Sequence, residues 1–291
     1  MRIVDDSAIR AHASLRFRSE YDYAVFEYWR SAKALAYLEA AGVTTFDRVL
    51  DDGCGGGGMC VSFGEEARSV VGIEPGDRFR SVGTRLASEK GVTSVRFAHA
   101  DGTSLPFRDG SFDLVLSHSV IEHVANPLAY LKEAKRVLRR GGFMLLNTAP
   151  YLSSPGSHLP KYRLPFPFPL HLIAGRRAAF ATACWVGRHR PQWFDIDSQS
   201  SSFVTVPRQG GSKPDDLLYR ATVRNLRDHI REAGLKPKRE DLAISRMITS
   251  NLPASIARLI PDIPLVRDIL VTNVQYLLVR DDEIGGRDGR S

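Results

Sequence analysis

A glycine-rich turn after a short apolar strand is the stretch of this sequence best suited to hold a ligand. The strand ends at Asp52 and runs into Gly53–Gly58, where five of the six residues are glycine. Glycine is needed where the backbone turns with a positive φ or lies against a ligand with no Cβ between them. Gly53, Gly55 and Gly58 also fit the dinucleotide pattern G-x-G-x-x-G. The turn therefore predicts a nucleotide-cofactor cradle and leaves the identity of the cofactor open.

Acidic residues follow the next two predicted strands. The strand at residues 69–73 ends in Glu74, and Asp101 and Gly102 follow the strand at residues 94–98. A carboxylate at the end of the second strand, about 20 residues past the glycine turn, is placed to accept hydrogen bonds from ribose hydroxyls. We expect Glu74 to have that role. The Asp-Gly pair is also a common turn dipeptide, so Asp101 has two interpretations.

Two histidines and a glutamate after the fourth predicted strand could do acid–base chemistry. His118, Glu122 and His123 lie at the carboxyl edge of the sheet, where ligands of open α/β folds bind. Histidine is the natural base near neutral pH. If the segment is helical, His118 and Glu122 share one face, and Ser119 shares another with His123.

Taken in order, these motifs resemble the class I S-adenosylmethionine-dependent methyltransferases, in particular the small-molecule branch of methyltransferase type 11. The resemblance covers about residues 47–150 and implies S-adenosylmethionine as the cofactor. That cofactor is cationic and suits an acidic, glycine-lined site, whereas a pyrophosphate favours bare amides at a helix N-terminus. The implied cofactor-binding residues are Asp51, Gly53, Gly55, Gly57, Glu74, Pro75, Asp101, Gly102 and Ser117.

The same resemblance assigns roles to two carboxylates and leaves a third unexplained. It implies that Asp101 accepts a hydrogen bond from the adenine amino group and that Asp51 organises the loop near the amino-acid end of the cofactor. Asp52 departs from the pattern, because the family usually has an apolar residue there and a buried unpaired carboxylate is costly. The partner of Asp52 is left open.

The predicted catalytic residues are His118, Glu122 and His123, and the resemblance bears on two of them. The sequence Glu122-His123-Val124 is similar to a motif of quinone O-methyltransferases, in which a glutamate four residues before the histidine helps bind a divalent metal. Ser119 stands there instead. A hard cation wants more oxygen ligands than Glu122 alone provides, so this loss argues against a divalent metal without excluding one. Methyl transfer is an in-line displacement that needs positioning and a base, and His118 or His123 is the predicted base. The tripeptide also occurs in relatives where it only supports a helix.

Alternating short strands and helices predict a doubly wound, mostly parallel Rossmann-like α/β fold with helices on both faces; the resemblance implies seven strands, the last antiparallel. Helices are predicted at residues 21–29, 31–41, 127–138 and about 219–233, and a final strand at about 271–279. Asn126 is the expected cap of the third helix, with Pro127 at its first position, and Gly234 ends the fourth. A proline-rich stretch at residues 164–170 interrupts the pattern. The predicted parts are an N-terminal helical lid at 1–46, the cofactor-binding core at 47–150, an inserted substrate cap at 151–218, completion of the sheet at 219–280 and a mobile tail at 281–291.

The predicted cap is strongly basic. Residues 151–194 contain six lysines or arginines and no aspartate or glutamate, and the whole chain has a net charge of +7. A cationic cleft could attract an anionic or phosphorylated acceptor or contact an anionic membrane surface, and a plain solvated face is the alternative. We expect no nucleic-acid partner, because amino-directed methyltransferases carry an Asn/Asp-Pro-Pro-aromatic motif where this chain has Ser117-His118-Ser119-Val120.

Composition limits the remaining possibilities. No apolar run reaches the 18 or so residues that a membrane span needs, and the first residues lack the apolar core of a signal peptide, so a cytoplasmic protein is expected. Cys54, Cys60 and Cys184 lack the spacing of a zinc site and are expected to be reduced thiols.

The sequence therefore predicts an enzyme that methylates an oxygen of a hydroxylated small molecule, such as a sugar, glycan or natural product. Two alternatives stay open. One is C-methylation of a quinone or lipid-like acceptor, favoured if residues 164–170 line an apolar tunnel. The other is a non-catalytic protein that binds the cofactor without turnover. The oligomeric state is left open.

Overall fold

The computed structural model describes residues 4–153, 158–163, 169–194, 217–244 and 263–281. The described strands are β1 (Arg48–Asp52), β2 (Ser69–Glu74), β3 (Val95–His99), β4 (Phe112–His118), β5 (Leu138–Thr148), β6 (Lys236–Ile244) and β7 (Val271–Val279). The described α-helices are α1 (Asp6–Leu15), α2 (Glu20–Ala40), α3 (Gly58–Gly64), α4 (Arg78–Ser81), α5 (Gly83–Lys90), α6 (Pro127–Val137), α7 (Leu170–Ile173), α8 (Arg176–His189), α9 (Val223–Glu232) and α10 (Pro264–Leu270).

The seven strands form one sheet in the order β3-β2-β1-β4-β5-β7-β6. Strand β7 is antiparallel to both of its neighbours, and the pairings of β1 with β2 and β4, and of β4 with β5, are parallel. The predicted doubly wound α/β fold is confirmed, including the antiparallel last strand at Val271–Val279. The chain reverses its direction of travel across the sheet between β1 and β4, and ligands of open α/β sheets bind at such a switch point.

Side chains of the central strands alternate between two buried layers. In β1, Val49 packs into one hydrophobic cluster and Leu50 into the other. In β4, Leu114 and Leu116 join the cluster of Val49, while Val115 joins that of Leu50. Successive side chains of a strand point to opposite faces, so both faces of the sheet are covered. This alternation also sends the neighbouring carboxylates of Asp51 and Asp52 to opposite faces.

The N-terminal helices pack beside the glycine turn. The predicted helical segments at residues 21–29 and 31–41 form one helix, α2, which begins after Ser19, whose hydroxyl accepts a hydrogen bond from the Asp22 amide. A Cβ at Gly58 would lie 2.0 Å from the carbonyl oxygen of Ala24. The backbones of α2 and α3 therefore touch, which only glycine permits at that point. The role of α2 as a lid stays a prediction.

The start of α6 follows the predicted signals, whereas the start of α9 does not. Helix α6 begins after the cap Asn126 with Pro127 at its first position, as predicted, and ends at Val137. Helix α9 begins at Val223, later than the predicted Tyr219, and the chain turns at Gly234 with φ of 72°. All three cysteines are free.

Several predictions concern residues that lie partly or wholly outside the described ones. These are the proline-rich stretch at 164–170, most of the cap between 195 and 216, and the tail after residue 281. Among the described helices, none has the length and apolarity required to cross a bilayer.

Candidate active site

The glycine turn is held by backbone hydrogen bonds that impose left-handed conformations. The amides of Gly53 and Cys54 both donate to the Ile73 carbonyl, at 2.9 and 2.8 Å, and the Gly57 amide donates to the Cys54 carbonyl at 2.8 Å. Gly53, Gly55 and Gly57 have φ values of 87°, 53° and 79°. A Cβ at Gly53 would lie 2.4 Å from Cγ2 of Val120. The turn thus needs glycine for its backbone angles and, at Gly53, for space.

The turn forms one wall of a cavity of about 720 Å³, within the range of small-molecule sites. The ends of β1, β2 and β4, helix α2 and residues from both sides of the insert complete its lining. The predicted site residues that line it are Gly53, Gly55, Glu74, Pro75, Asp101, Gly102, His118 and His123. Four other predicted residues, Asp51, Gly57, Ser117 and Glu122, lie behind this lining.

Glu74 and Asp101 occupy the two acidic corners of the cavity. Oε2 of Glu74 accepts a hydrogen bond from the Gly55 amide at 2.9 Å, and its Oε1 lies 3.6 Å from the Arg78 guanidinium. Oδ1 of Asp101 accepts from the amide and the hydroxyl of Thr103, both at 2.8 Å. Asp101 therefore forms the turn that its Asp-Gly sequence suggested, and it also faces the cavity.

The adjacent carboxylates of β1 are both buried and have different surroundings. Oδ2 of Asp51 accepts a hydrogen bond from Sγ of Cys60 at 3.1 Å. Asp52 is 2% exposed and lines the cavity, and its Oδ2 has no hydrogen-bond partner among the described residues. Burial raises the pKa of Asp51 to about 7. Burial, and then the charge of Asp51, raise the pKa of Asp52 to about 8. Asp52 is therefore a buried carboxylate with one oxygen left without a hydrogen-bond partner among the described residues.

Close packing at two glycines and one hydrogen bond position the residues around the cofactor motifs. A Cβ at Gly102 would meet Oδ1 of Asp52 and the ring of Tyr130, each at 2.5 Å. The Tyr130 hydroxyl donates to Oγ of Ser117 at 2.7 Å. Gly57 packs against Phe97, where a Cβ would come within 2.6 Å of the ring. Ser117 and Gly57 thus shape the site from behind.

The segment after β4 is not one helix, which corrects the face-sharing expected for its side chains. Strand β4 extends through His118, Ser119 has a left-handed φ of 57°, and only Ile121–His123 form a single 3₁₀ turn. His118 and Glu122 therefore do not share a helical face. The Ser119 conformation breaks the strand, because a non-glycine residue with positive φ cannot continue an extended chain.

His118 is a neutral imidazole in the cavity wall. Burial, and to a smaller extent the charge of Arg30, hold the pKa of His118 well below its ordinary value. Arg30 also lies 3.4 Å from Glu27, one turn earlier on α2. Burial raises the pKa of Glu27, which lines the cavity.

Several side chains in the cavity wall were missed by the sequence analysis, among them those of Tyr23, Glu27 and His158. Tyr23 and Glu27 come from α2, and their spacing of four residues on one helix was the available signal. His158 comes from the insert, where no motif marks it. Its Nε2 is 3.2 Å from Oε1 of Glu122, and its ring centroid is 5.0 Å from that of His123.

With this geometry in view, the chain can be compared with known proteins. Residues 50–146 match the methyltransferase domain family. An uncharacterized methyltransferase of Mycolicibacterium vanbaalenii is 35% identical over 186 residues, which are 64% of this chain and 65% of that protein. A ubiquinone biosynthesis O-methyltransferase of Dinoroseobacter shibae is 39% identical over 101 residues, which are 35% of this chain and 40% of that protein.

Residues 50–146 therefore form a methyltransferase domain, and the comparisons support the class I S-adenosylmethionine-dependent family for it. This confirms the resemblance seen in the motifs. The aligned segments span less than two thirds of these relatives.

Solved structures agree on the fold. A geranyl diphosphate methyltransferase in complex with S-adenosylmethionine superposes with a TM-score of 0.54 at 18% identity, covering 95% of each chain. The [4+2]-cyclase SpnF superposes with a TM-score of 0.53 at 16% identity, covering 88% of this chain and 83% of that one. At such identities the likeness concerns architecture alone.

The cavity of this protein fits S-adenosylmethionine by its chemistry. Its lining includes the acidic side chains of Glu74 and Asp101, which suit a ligand with positive charge on sulfur and on its amine. The glycine turn leaves backbone space that a Cβ at Gly53 would fill. The acidic carboxylates and the bare turn are the features that would hold the cofactor.

Proposed function

We propose that this protein transfers a methyl group from S-adenosylmethionine to a hydroxyl oxygen of a small molecule. One observation carries the proposal: a single cavity contains both the cofactor motifs, at Gly53, Glu74 and Asp101, and the imidazoles of His118 and His123. Cofactor-holding and proton-accepting groups on one cavity wall are what O-methylation requires.

The glycine turn and the acidic corners would position the cofactor. When bound, S-adenosylmethionine supplies an electrophilic methyl group on a positively charged sulfur. Glu74 would accept hydrogen bonds from the ribose and Asp101 from the adenine amino group. Asp51 would act indirectly, because its bond to Cys60 ties β1 to α3 behind the turn. Tyr23 and Glu27 would close the cavity from the side of α2, consistent with the predicted lid.

His118 is the proposed general base. A neutral imidazole can accept the hydroxyl proton as the acceptor oxygen forms its bond to the methyl carbon and the bond from that carbon to sulfur breaks. The lowered pKa keeps His118 in this neutral form at neutral pH. The same shift makes His118 a weaker base, which suits a phenol, with a pKa near 10, better than an alcohol. His123 is the second candidate, although it shares its surroundings with His158.

The insert favours an acceptor with negative charge. His158 lines the cavity, and the surrounding residues 151–194 contain six cationic side chains and no carboxylate. Positive surroundings raise the local concentration of anions and speed their encounter. We propose an anionic or phosphorylated hydroxylated acceptor, with a glycan or phenolic natural product as the next classes to test.

The test is transfer of labelled methyl from S-adenosylmethionine to a panel of phenols, sugars and sugar phosphates, followed by mass spectrometry. Wild type should label one acceptor class on oxygen, and His118→Ala should lose about 10²–10⁴-fold in turnover while keeping its cofactor affinity. His229→Ala, a histidine on α9 bonded to Tyr219, is the control. Labelling on carbon would show that the enzyme is a C-methyltransferase and would contradict the proposal. Cofactor binding without any labelling would favour a non-catalytic protein.

A further inference from the structure

Three side chains from two segments converge beside the cavity with the chemistry of metal ligands. Glu122, His123 and His158 each offer one donor atom, and these atoms lie within 4.8 Å of one another. Oε1 of Glu122 and Nε2 of His158 are already 3.2 Å apart. We propose that these three residues bind one divalent transition-metal ion. The proposal concerns donors next to the methyl-transfer site and does not depend on methyl transfer.

Glu122 is oriented as a ligand would be. Its carboxylate is 1% exposed, and Oε2 accepts a hydrogen bond from the buried Thr148 hydroxyl at 2.8 Å. That bond leaves Oε1 directed at His158. The Glu122 carbonyl also accepts from the amides of Leu218 and Tyr219, both at 3.0 Å, which anchors its backbone. Ligating carboxylates characteristically have such outer partners, which fix the direction of the lone pairs.

His158 is brought to the group by an unusual backbone. It has a φ of 59°, a left-handed conformation that residues with a Cβ rarely adopt. Strained conformations of this kind cluster at ligand sites, where surrounding contacts enforce them. His158 and His123 both line the cavity, while the carboxylate of Glu122 lies just behind them. The three donors therefore stand at the wall of the cavity, with the cavity on their open side.

The donor set selects the class of ion. Two imidazoles and one carboxylate suit zinc and neighbouring transition metals, whereas magnesium and calcium prefer oxygen ligands alone. Three protein ligands with a remaining open position are the pattern of catalytic zinc sites. The sequence argument against a metal counted Glu122 alone, because Ser119 replaces the family's other glutamate. It did not include a histidine 36 residues further along the chain.

Metal binding can be measured on the chelator-treated, full-length protein. Calorimetric titration with Zn²⁺ should show one equivalent bound, and Co²⁺ at the same site should give visible absorption bands of a low-coordinate centre. His158→Ala and His123→Ala should each weaken Zn²⁺ binding by at least about tenfold, as loss of even an outer-shell partner can. His189→Ala, an exposed histidine of α8 in the same insert, should bind Zn²⁺ like wild type.

Two results would overturn the proposal. One is the absence of stoichiometric Zn²⁺ and Co²⁺ binding in wild type, which would leave Glu122 and His158 as a simple hydrogen-bonded pair. The other is unchanged affinity in either histidine variant. Because the two histidines lie in different segments, a folding defect in one variant, seen by thermal unfolding, leaves the other decisive. Metal binding without methyl transfer would uphold this site and remove the proposed function; methyl transfer by a wild type that shows no stoichiometric metal binding would do the reverse.

Discussion

The carboxyl edge of the sheet and the insert at residues 151–218 contribute to the same cavity in different ways. At the sheet edge, Gly53 and Glu74 are fixed by backbone geometry that recurs wherever a strand ends in such a turn. In the insert, His158 reaches Glu122 through a left-handed residue in an irregular segment. Positions set by backbone requirements leave a readable pattern in the sequence. Positions set by long-range convergence do not.

The largest expected effect contrasts glycines of the two regions. Gly53 and Gly175 have φ of 87° and 81°, but an added Cβ would meet a neighbour only at Gly53, where Cγ2 of Val120 would lie 2.4 Å away. Both alanine variants incur about 1–3 kcal/mol of backbone strain, because a residue with a Cβ is disfavoured at these positive φ values. In Gly53→Ala, overpacking should lower the free energy of unfolding by about 1–3 kcal/mol more. The same variant should also lose cofactor binding. Chemical denaturation and calorimetry measure both. Equal losses in the two variants would contradict the contrast.

A second prediction concerns the pH dependence of turnover. A base works when neutral, so a lowered pKa of His118 should keep turnover constant as pH falls through 6.5 and reduce it only at lower pH. Removing the Arg30 charge in Arg30→Gln should raise that pKa and move the acid limb of the profile to higher pH. Arg10→Gln, on the exposed side of α1, is the control. An acid limb of the wild-type profile at or above pH 6.5 would remove His118 as the base.

A third prediction concerns stability at Asp52. Its folded pKa of about 8 exceeds the unfolded value of 3.8, so the folded state holds the extra proton and stability falls as pH rises between these values. Asp52→Asn should remove this loss. At pH 8 its free energy of unfolding should rise by about 1 kcal/mol or more, which corresponds to roughly 2–4 °C in melting temperature. At pH 5 the gain should be smaller. Asp228→Asn, on the surface of α9, should show no such pH trend. A gain independent of pH would contradict the assignment.

The smallest expected effect is on the insert surface. Arg188 and Arg190 are exposed, so Arg188→Gln with Arg190→Gln should change unfolding free energy by no more than about 0.5 kcal/mol. If the basic surface draws in anionic acceptors, their KM should rise several-fold at low salt, and the difference should shrink at high salt. Arg80→Gln with Arg231→Gln removes the same charge elsewhere. An identical KM change in both double variants would indicate a general effect of net charge.

Much of the fold, and the part of the site at the carboxyl edge of the sheet, were predictable because they rest on local rules. Alternating apolar residues placed β1 and β4, Asn126-Pro127 marked the start of α6, and Gly234 marked the turn after α9. The same rules gave Gly53, Glu74 and Asp101 their places in the cavity. Such signals lie within a few residues of the structure that they specify.

What could not be predicted depends on contacts distant in sequence. Helix periodicity suggested a shared face for His118 and Glu122, but the left-handed Ser119 ends the strand and redirects the chain. The pairing of Glu122 with His158 spans 36 residues, and no local pattern contains it. Asp52 broke the family pattern in the sequence, but only the structure shows that its Oδ2 lacks a hydrogen-bond partner among the described residues and that Gly102 and Tyr130 pack around it.

The most direct test of the central claim is calorimetric titration with S-adenosylmethionine, its demethylated product and NAD, on wild type and Glu74→Ala. Glu232→Ala, an exposed glutamate at the end of α9, is the matched control. We predict that wild type and Glu232→Ala bind the first two ligands, and that Glu74→Ala loses most of this affinity. Binding of NAD alone, or unchanged affinity in Glu74→Ala, would contradict the account of the cavity as an S-adenosylmethionine site.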